Sequence, residues 1–302
     1  MSRLASEPRS GLEGKRMRRI GVVARRDRAE ALDVVRGLVQ WLTAHGREVV
    51  VDSETAGGLG LPDVTVADRQ ALPGKVDLIV VLGGDGTLLA VARLVEGLDV
   101  PILGVNLGGL GFLTATTLEA LFPTLEAVLR GEYSAEDRLV LVAGLTRGGA
   151  PVAEQLALND VVVAKGALGR LIDLDVRADG QPMTAYRGDG LIIATPTGST
   201  AYNLSAAGPI LFATMDAVVL TPICSHTLTN RPIVLPASIR LEVTLLTEAP
   251  DVVLSVDGQP GPPVTAGDVV QVRQAAARIR LIRDPRKSYF EVLRTKLKWG
   301  ER

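Results

Sequence analysis

The sequence predicts an α/β domain followed by a β-rich, sandwich-like domain. Over residues 18–130, short apolar runs alternate with segments whose apolar residues recur at helical spacing, which is typical of a parallel sheet with flanking helices. The same half contains a GGDGT loop directly after an apolar strand, and a second glycine-rich loop further along. After residue 131 the helical spacing gives way to many short apolar runs separated by turn residues, as expected for a β-sandwich.

The elements of the first half follow one another in strand–helix order. A Gly/Pro/Asp-rich stretch predicts a loop from residue 53 to about residue 73, and Gly46 is placed to end the first helix. We expect strands over 18–24, 47–52, 76–82 and 100–106, and helices over 28–46, 87–97 and 117–130. In such a sheet, ligands bind at the carboxyl ends of the strands, and both glycine loops lie at that edge.

The second half predicts strands, one of which contains Asn159 and Asp160, and a hairpin with Asp179-Gly180 at its turn. The expected strands lie within 138–147, 157–166, 170–195, 231–236, 238–247, 251–259 and 268–274. The amphipathic tail is expected to return to the first domain. The predicted division is a disordered basic arm (1–17), an α/β domain (18–130), a β-rich domain (131–275) and a C-terminal segment (276–302).

Composition excludes several classes of partner. The net charge of −1 and an aromatic content of 3% argue against a nucleic-acid-binding protein. The single cysteine, Cys224, cannot form an intrachain disulfide and fits a reducing compartment. The basic N-terminal arm lacks the apolar core of a secretory signal, and no apolar run reaches the roughly 18 residues of a membrane span. We therefore expect a cytoplasmic protein without a membrane partner.

The GGDGT loop places the carboxylate of Asp85 among three glycines: Gly83, Gly84 and Gly86. Its backbone N–H groups, at a helix start with Thr87 as a candidate N-cap, form an anion site. A carboxylate beside a bound phosphate is useful if it accepts a proton from a hydroxyl or helps to hold a divalent cation. The alternative is a tight strand-to-helix turn with an Asx bond. The chain has neither a Walker-type loop nor G-x-G-x-x-G after its first strand.

Other polar stretches are candidates for ligand binding. Residues 186–210 contain a run rich in hydroxyls, which suits binding of a ribose, an amide or a phosphate, or else forms a solvated loop. Asn159 and Asp160 are disfavoured inside a strand, which points to a functional or turn-forming role. The stretch SVDGQP (255–260) is either part of a site or only a hairpin turn. The two histidines predict neither a zinc site nor a catalytic triad.

Taken together, these stretches resemble the NAD kinase family, which transfers the terminal phosphate of ATP to the 2′-hydroxyl of NAD's adenosine ribose. The likeness runs in order through GGDGT (83–87), GVNLGGLGFLT (104–114), ND (159–160), DGLIIATPTGSTAYNLSAAGPI (189–210), RPIVLP (231–236), SVDGQ (255–259) and FEVLRTKLKWG (290–300). The resemblance implies NAD and ATP as substrates, a divalent metal ion, expected to be Mg²⁺, and a homodimer or homotetramer.

The resemblance also implies roles for individual residues. Asp85 matches the family's general base, and Gly83, Gly84, Gly86 and Thr87 match its phosphate loop. Asn159 and Asp160 match the pair that contacts adenine and ribose hydroxyls, and Asp189 matches the acid that binds the far end of the nucleotide. The full set of implied NAD-binding residues is Asp85, Gly86, Asn159, Asp160, Arg170, Arg187, Asp189, Thr197, Thr200, Ala201, Tyr202, Asn203, Ser205 and Gln259.

Three positions depart from common family patterns. Gly109 stands where many relatives have a larger polar residue, and Asp160 is one methylene shorter than the Glu of many relatives. Arg187 stands where relatives that accept NADH tend to have glycine, which favours NAD over NADH as the substrate. The competing hypotheses are a lipid kinase of the diacylglycerol type, whose GTGND stretch is absent here, and a non-catalytic NAD sensor.

Overall fold

The computed structural model describes residues 17–25, 29–57, 59, 64–167, 169–227, 229–283 and 287–299. It divides into two compact units, of which one comprises residues 1–137 and 280–302 and the other comprises 138–279. All but the last residue of the expected basic arm (1–17) lie outside the described residues. That last residue, Met17, is buried in the core of the first unit.

Strands and helices alternate in the first part of the chain, and strands dominate afterwards. Up to Arg138 the elements are β1 (Arg19–Ala24), α1 (Ala29–Ala44), β2 (Glu48–Asp52), α2 (Ser53–Ala56), β3 (Thr65–Ala67), β4 (Leu78–Leu82), α3 (Asp85–Ala92), β5 (Ile102–Val105), α4 (Leu118–Arg130) and β6 (Ser134–Arg138). From Leu141 they are β7 (Leu141–Arg147), β8 (Ala150–Ala157), β9 (Asp160–Ala164), β10 (Ile172–Ala178), β11 (Gln181–Gly188), β12 (Gly190–Ala194), α5 (Tyr202–Ser205), β13 (Ala217–Ile223), β14 (Ile233–Pro236), β15 (Leu241–Leu245), β16 (Val253–Val256), β17 (Gln259–Pro263), β18 (Val269–Gln274), β19 (Ile279–Arg283) and α6 (Tyr289–Leu297).

The first unit is built on a sheet of order β3-β2-β1-β4-β5-β19-β6, and the pairs from β3 through β19 are parallel. The chain runs outward from β1 to β2 on one side and from β4 to β5 on the other. The topological switch point therefore lies between β1 and β4, where sheets of this kind bind ligands. The loop that begins at Gly83 leaves the sheet at this point, so the predicted α/β fold and the location of its glycine loop are both confirmed.

Three details of the first unit differ from the sequence expectation. The expected loop after residue 52 contains α2 and β3, which are too short to give a periodic signal. The helix after the glycine loop covers Asp85–Ala92 rather than 87–97, and its N-cap is Gly84, so the prediction of Thr87 as N-cap was wrong. The amide of Thr87 already donates to the carbonyl of Gly84 (3.0 Å), within the first helical turn. Strand β19 was not expected, although it joins the sheet beside β5.

The second unit is a sandwich of two six-stranded antiparallel sheets, in the orders β11-β10-β15-β18-β7-β8 and β14-β13-β12-β9-β16-β17. Alternate residues of both sheets, such as Leu174, Val243, Val161 and Ile193, form one shared core. The predicted hairpin is confirmed, because Ala178 pairs with Gln181 across Asp179 and Gly180, which have φ values of 48° and 75°. The expected β-rich sandwich is therefore correct.

The face of the β9–β12 sheet that points away from the shared core packs against the loop that follows β12. Val162 and Ile192 point to this side, where they pack with Leu211 in a separate small cluster. Because β9 and β12 are covered on both faces, their sequences are almost uninterrupted apolar runs. Across the described part of the chain, none of the helices combines the length and the apolar character needed to span a bilayer.

Candidate active site

The carboxylate of Asp85, the first residue of α3, is held by the second glycine-rich loop. Its Oδ1 accepts hydrogen bonds from the N–H of Leu113 (3.1 Å), the N–H of Thr114 (3.0 Å) and the hydroxyl of Thr114 (2.9 Å). Its Oδ2 accepts the N–H of Phe112 (2.9 Å). The local alternative, an Asx bond within the turn, is therefore not the arrangement seen. The side chain instead joins two loops that are far apart in sequence.

Gly111 is required by the close approach of this carboxylate. A Cβ added at Gly111 would collide with Oδ1 of Asp85 and with the hydroxyl oxygen of Thr114. The loop is also ordered by Asn106, whose amide nitrogen donates to the Thr114 hydroxyl oxygen (2.9 Å) and whose oxygen accepts the N–H of Gly108 (2.7 Å). Sequence reasoning did not select Asn106 as a site residue. Its position directly after β5, at the ligand-binding edge, was the available signal.

Two cavities flank the start of α3, and each is bordered by basic side chains. One, of about 360 Å³, is lined by Gly84, Gly86 and Thr87 together with Arg25 and Arg69. The other, of about 250 Å³, is lined by Asp85 and the second glycine loop, with Lys296 at its border. Glu54 also lines the first cavity, and Arg69 pairs with Asp52 and with Glu54 (both 3.0 Å). The N-terminus of the eight-residue α3, with Arg25 and Lys296 beside it, favours binding of an anion such as a phosphate.

The tail of the chain contributes one of these basic groups. Helix α6 buries Val292 and Leu293, and its Lys296 ammonium lies 5.8 Å from the centre of the Phe112 ring. Phe112 is also the residue whose N–H contacts Oδ2 of Asp85. The last helix therefore places a cation close to the loop that holds the acid.

Asn159 and Asp160 were both expected inside a strand; Asp160 is the first residue of β9, whereas Asn159 lies just before it, so the expectation was wrong for Asn159. Their backbone is held by the loop that follows β12. The Thr195 hydroxyl donates to the carbonyl of Leu158 (2.6 Å), and the Thr195 N–H donates to the carbonyl of Asn159 (2.9 Å). Gly198 packs so closely on Asn159 that a Cβ would collide with its carbonyl. The hydroxyl-rich loop and the Asn-Asp pair thus form one structure.

Asp160 is buried, with 4% of its surface exposed, beside a second acid, Asp257. Burial, and then the charge of Asp257, raise the pKa of Asp160 from 3.8 to about 7, against the lowering effect of a backbone hydrogen bond from Tyr202. The contact from Tyr202 also brings the predicted NAD-binding loop onto the Asn-Asp pair. Asp160 therefore changes charge near neutral pH.

Several polar side chains of residues 195–210 hold the loop from inside. The Asn203 amide nitrogen donates to the carbonyls of Ser199 and Pro209 (both 3.0 Å), and its oxygen accepts the Thr221 hydroxyl (2.6 Å). Asn203 and Ser199 have no exposed surface. Thr197 is also buried and accepts a hydrogen bond from Arg138 (3.2 Å). Thr200, Ala201, Tyr202 and Ser205 are partly or well exposed and so remain available to a ligand.

The structure places Arg187 and Asp189 away from the Asn-Asp pair. Asp189 precedes β12 and Thr195 follows it, so the two ends are about 20 Å apart along the strand. The Asp189 carboxylate lies 3.4 Å from the Lys165 ammonium, and Arg187 lies 3.8 Å from Asp173. Arg170 and Gln259 are exposed. Gln259 opens β17 directly after the turn that contains Asp257, at the same end of the sheet as Asn159.

No group of three or more His, Cys, Asp or Glu side chains among the described residues is arranged to hold a metal ion. The acids of the site act in other ways: Asp85 joins two loops, and Asp160 and Asp257 adjoin one another.

Family models and curated relatives both match this chain over most of its length. Two family models, described as the ATP-NAD kinase N-terminal domain and C-terminal domain, match residues 20–133 and 158–284. The chain is 52% identical over 288 residues to the NAD kinase of Syntrophotalea carbinolica and 48% identical over 286 residues to that of Geotalea daltonii. Each alignment covers 95% of this chain and 100% of the relative.

Solved structures with the same fold include two kinases. The yeast NADH kinase complexed with NADH superposes with a TM-score of 0.87 at 25% identity, covering 96% of this chain and 90% of that one. An NAD kinase from Archaeoglobus fulgidus in complex with ATP gives a TM-score of 0.71 at 24% identity, covering 91% and 98% of the two chains, and so supports the fold. Fold and relatives together identify a kinase. The chain belongs to the NAD kinase family.

Proposed function

We propose that this kinase transfers the terminal phosphoryl group of ATP to the 2′-hydroxyl of the adenosine ribose of NAD, giving NADP, with Asp85 as the general base. The observation that carries the proposal is the carboxylate of Asp85, held at the first residue of α3 by four hydrogen bonds. A base fixed in this way meets the hydroxyl in one orientation, which general-base catalysis requires.

The two oxygens of Asp85 have different tasks. Oδ1 accepts three hydrogen bonds from residues 113–114, whereas Oδ2 accepts one, from Phe112, among the described residues. Oδ2 is therefore the oxygen that accepts the proton of the ribose hydroxyl. The proton leaves the hydroxyl as its oxygen bonds to the γ-phosphorus and the bond from that phosphorus to the departing ADP oxygen breaks.

The phosphates of ATP bind at the start of α3. The loop of Gly83, Gly84, Gly86 and Thr87 supplies backbone N–H groups, and the cavities beside it are bordered by Arg25, Arg69 and Lys296. The expected Mg²⁺ would be bound together with the phosphates of ATP. The metal offsets phosphate charge, and the protein's own part is to bind, orient and accept the proton.

The second unit supplies hydrogen-bonding groups for NAD. Asn159, whose side chain makes no hydrogen bond with the residues that the structure describes, and Asp160 contact the adenosine. Thr200, Ala201, Tyr202 and Ser205 line the nucleotide, while Thr197 and Asn203 hold their loop in place from inside. Asp189 is assigned to the far end of the dinucleotide, and Arg170, Arg187 and Gln259 are assigned to further contacts with the nucleotide. The active form is a homodimer or homotetramer, which light scattering in solution tests, and its expected location is the cytoplasm.

The test is formation of NADP from NAD with ATP and Mg²⁺, comparing the unchanged protein with Asp85→Asn. Asparagine keeps an oxygen for the three donors at Oδ1, but its NH₂ group faces the N–H of Phe112 and cannot accept a proton. Turnover should therefore fall by about 10²- to 10⁴-fold while NAD binding persists. Near-normal turnover of Asp85→Asn contradicts the assignment of the base.

Parallel assays separate the alternatives. NAD binding without turnover, whether ATP or inorganic polyphosphate is the donor, would indicate a sensor instead of an enzyme. Phosphorylation of diacylglycerol would indicate a lipid kinase. Addition of NADP or NADPH to the same assay measures feedback.

A further inference from the structure

Asp257 occupies the turn of a hairpin but its side chain does not point to solvent. The turn residues Asp257 and Gly258 have φ values of 49° and 72°, and Val256 pairs with Gln259 across them. These values match the two-residue turn that joins tightly twisted hairpin strands. Side chains at such turns are usually exposed, yet Asp257 is only 8% exposed. The hairpin therefore accounts for its backbone and leaves its buried carboxylate unexplained.

The carboxylate accepts hydrogen bonds from three successive backbone N–H groups of a different segment. Oδ2 accepts the N–H of Leu158 (3.0 Å), and Oδ1 accepts the N–H groups of Asn159 (2.7 Å) and Asp160 (3.1 Å). The N–H of Asp257 donates in return to the carbonyl of Asp160 (2.9 Å). The hairpin turn and the segment 158–160 therefore each donate hydrogen bonds to the other. Burial of a charge is unfavourable unless it is hydrogen-bonded, and here the bonds are supplied by one short segment.

Strand pairing places only part of this segment, because Asp160 pairs with Ala194 of β12, whereas Leu158 and Asn159 precede β9. The register of β16 against β9 begins at Val256 and Val161, so residues 158–160 lie at and beyond the end of the ladder. From the opposite side, the same segment is held by the Thr195 hydroxyl and by the close packing of Gly198. Asp257 and Thr195 therefore hydrogen-bond to the backbone of 158–160 from two sides. The side chain of Asn159 is not part of these hydrogen bonds.

We infer that Asp257 is a positioning residue for nucleotide binding: its carboxylate fixes the backbone that presents Asn159 and Asp160 to the adenosine of NAD. The inference rests on the proposed function, in which that pair contacts the nucleotide. In this role Asp257 contacts neither NAD nor ATP. Its loss should weaken the binding of NAD and leave the ATP phosphate site, built on the other unit, unaffected.

The test variant is Asp257→Asn. Asparagine tolerates a positive φ, so the hairpin turn is kept, but its NH₂ group faces a backbone N–H that the carboxylate had accepted. We expect the KM for NAD and the calorimetric Kd for NAD to rise by about tenfold or more, which corresponds to the loss of one strong hydrogen bond. The KM for ATP should not change, and kcat at saturating NAD should change much less than the KM for NAD.

Asp268→Asn is the matched control. Asp268 is also a buried acid of the second unit, 1% exposed, and it holds a turn by accepting the N–H of Thr265 (2.8 Å) and by pairing with Arg147. This variant should lose stability in thermal unfolding without a change in the KM for NAD. A selective rise of that KM in Asp257→Asn, against an unchanged value in Asp268→Asn, supports positioning rather than general loosening of the unit.

A second variant covers the case in which Asp257→Asn does not fold. Thr195→Val removes the opposing hydrogen bond to Leu158, so it should also raise the KM for NAD. If Asp257→Asn folds, an unchanged KM for NAD overturns the inference but not the proposed function. Equal changes in its kcat and in both KM values have the same consequence. If Asp257→Asn does not fold, an unchanged KM for NAD in Thr195→Val overturns the inference. Absence of NADP formation by the unchanged protein overturns the proposed function and this inference with it.

Discussion

Thr114 donates two hydrogen bonds to Oδ1 of Asp85, one from its N–H at 3.0 Å and one from its hydroxyl at 2.9 Å. The two residues are 29 positions apart in sequence, and the contact joins the loops that leave β4 and β5. Joined through this carboxylate, they form one structure beside the start of α3, and the acid's second oxygen accepts the N–H of Phe112.

Removing only the Thr114 hydroxyl should weaken the orientation of Asp85 without removing the carboxylate. We expect Thr114→Val to lower kcat by about tenfold, a loss equivalent to one hydrogen bond to a charged group and smaller than that of Asp85→Asn. Steady-state NADP formation measures this. Thr114→Ser keeps the hydroxyl and should be close to the unchanged protein. A kcat of Thr114→Val equal to that of the serine variant would contradict the positioning role.

Gly111→Ala should displace the carboxylate of Asp85 or the loop that holds it, because the added Cβ has no room. A displacement of about 1 Å can cost about 10²-fold in rate, so kcat should fall to a similar extent. Gly109→Ala is the control in the same loop, since no atom lies within 4 Å of a Cβ built there. Thermal unfolding of both variants separates an effect on the site from one on folding. Equal kcat values for the two alanine variants would refute this prediction.

The buried acid Asp160 should make the protein less stable as pH rises. Its pKa is about 7 in the folded protein and near 3.8 when exposed, so between these values the folded state retains a proton that the unfolded state has released. The stability due to this group is complete below about pH 4 and is lost as pH passes 7. From pH 5 to pH 8 the free energy of unfolding should therefore fall by at most about 3 kcal/mol on this account.

Asp160→Asn carries no titrating group at this position, and urea unfolding at both pH values gives the comparison. In this variant the free energy of unfolding should decrease less from pH 5 to pH 8, because Asp160 no longer contributes to the decrease. The stability of the variant relative to the unchanged protein should therefore be greater at pH 8 than at pH 5. Parallel dependence of the two proteins on pH would show that Asp160 does not titrate in this range.

Arg187 is expected to restrict the use of NADH. Its side chain is well exposed, and its Nε lies 3.8 Å from Oδ1 of Asp173. We expect Arg187→Gly to raise the ratio of NADH to NAD turnover by several-fold. Asp173→Asn is the control, because it removes the ion pair and keeps the arginine. Comparable turnover of NAD and NADH by the unchanged protein would remove the basis of this prediction.

Much of the fold follows from local sequence signals. The alternation of apolar runs with helical segments predicts the parallel sheet, and the DG pair at 179–180 predicts the observed hairpin. Short elements escaped prediction, because α2 and β3, with four and three residues, are below the length at which a period can be recognised. Strand β19 was also missed, although it pairs with β5.

The sequence by itself determined the class of fold, the family and the residue types at the site, because strand and helix periods and ordered motifs are local properties of the chain. Only the tertiary structure decided what those residues do to one another. It placed the Asp85 carboxylate on the amides of 112–114, and it turned Asp257, which could have been a simple hairpin residue, into an anchor for 158–160. The physical reason is that a hydrogen bond depends on distance and direction in space, and strands distant in sequence become neighbours only when the sheets form.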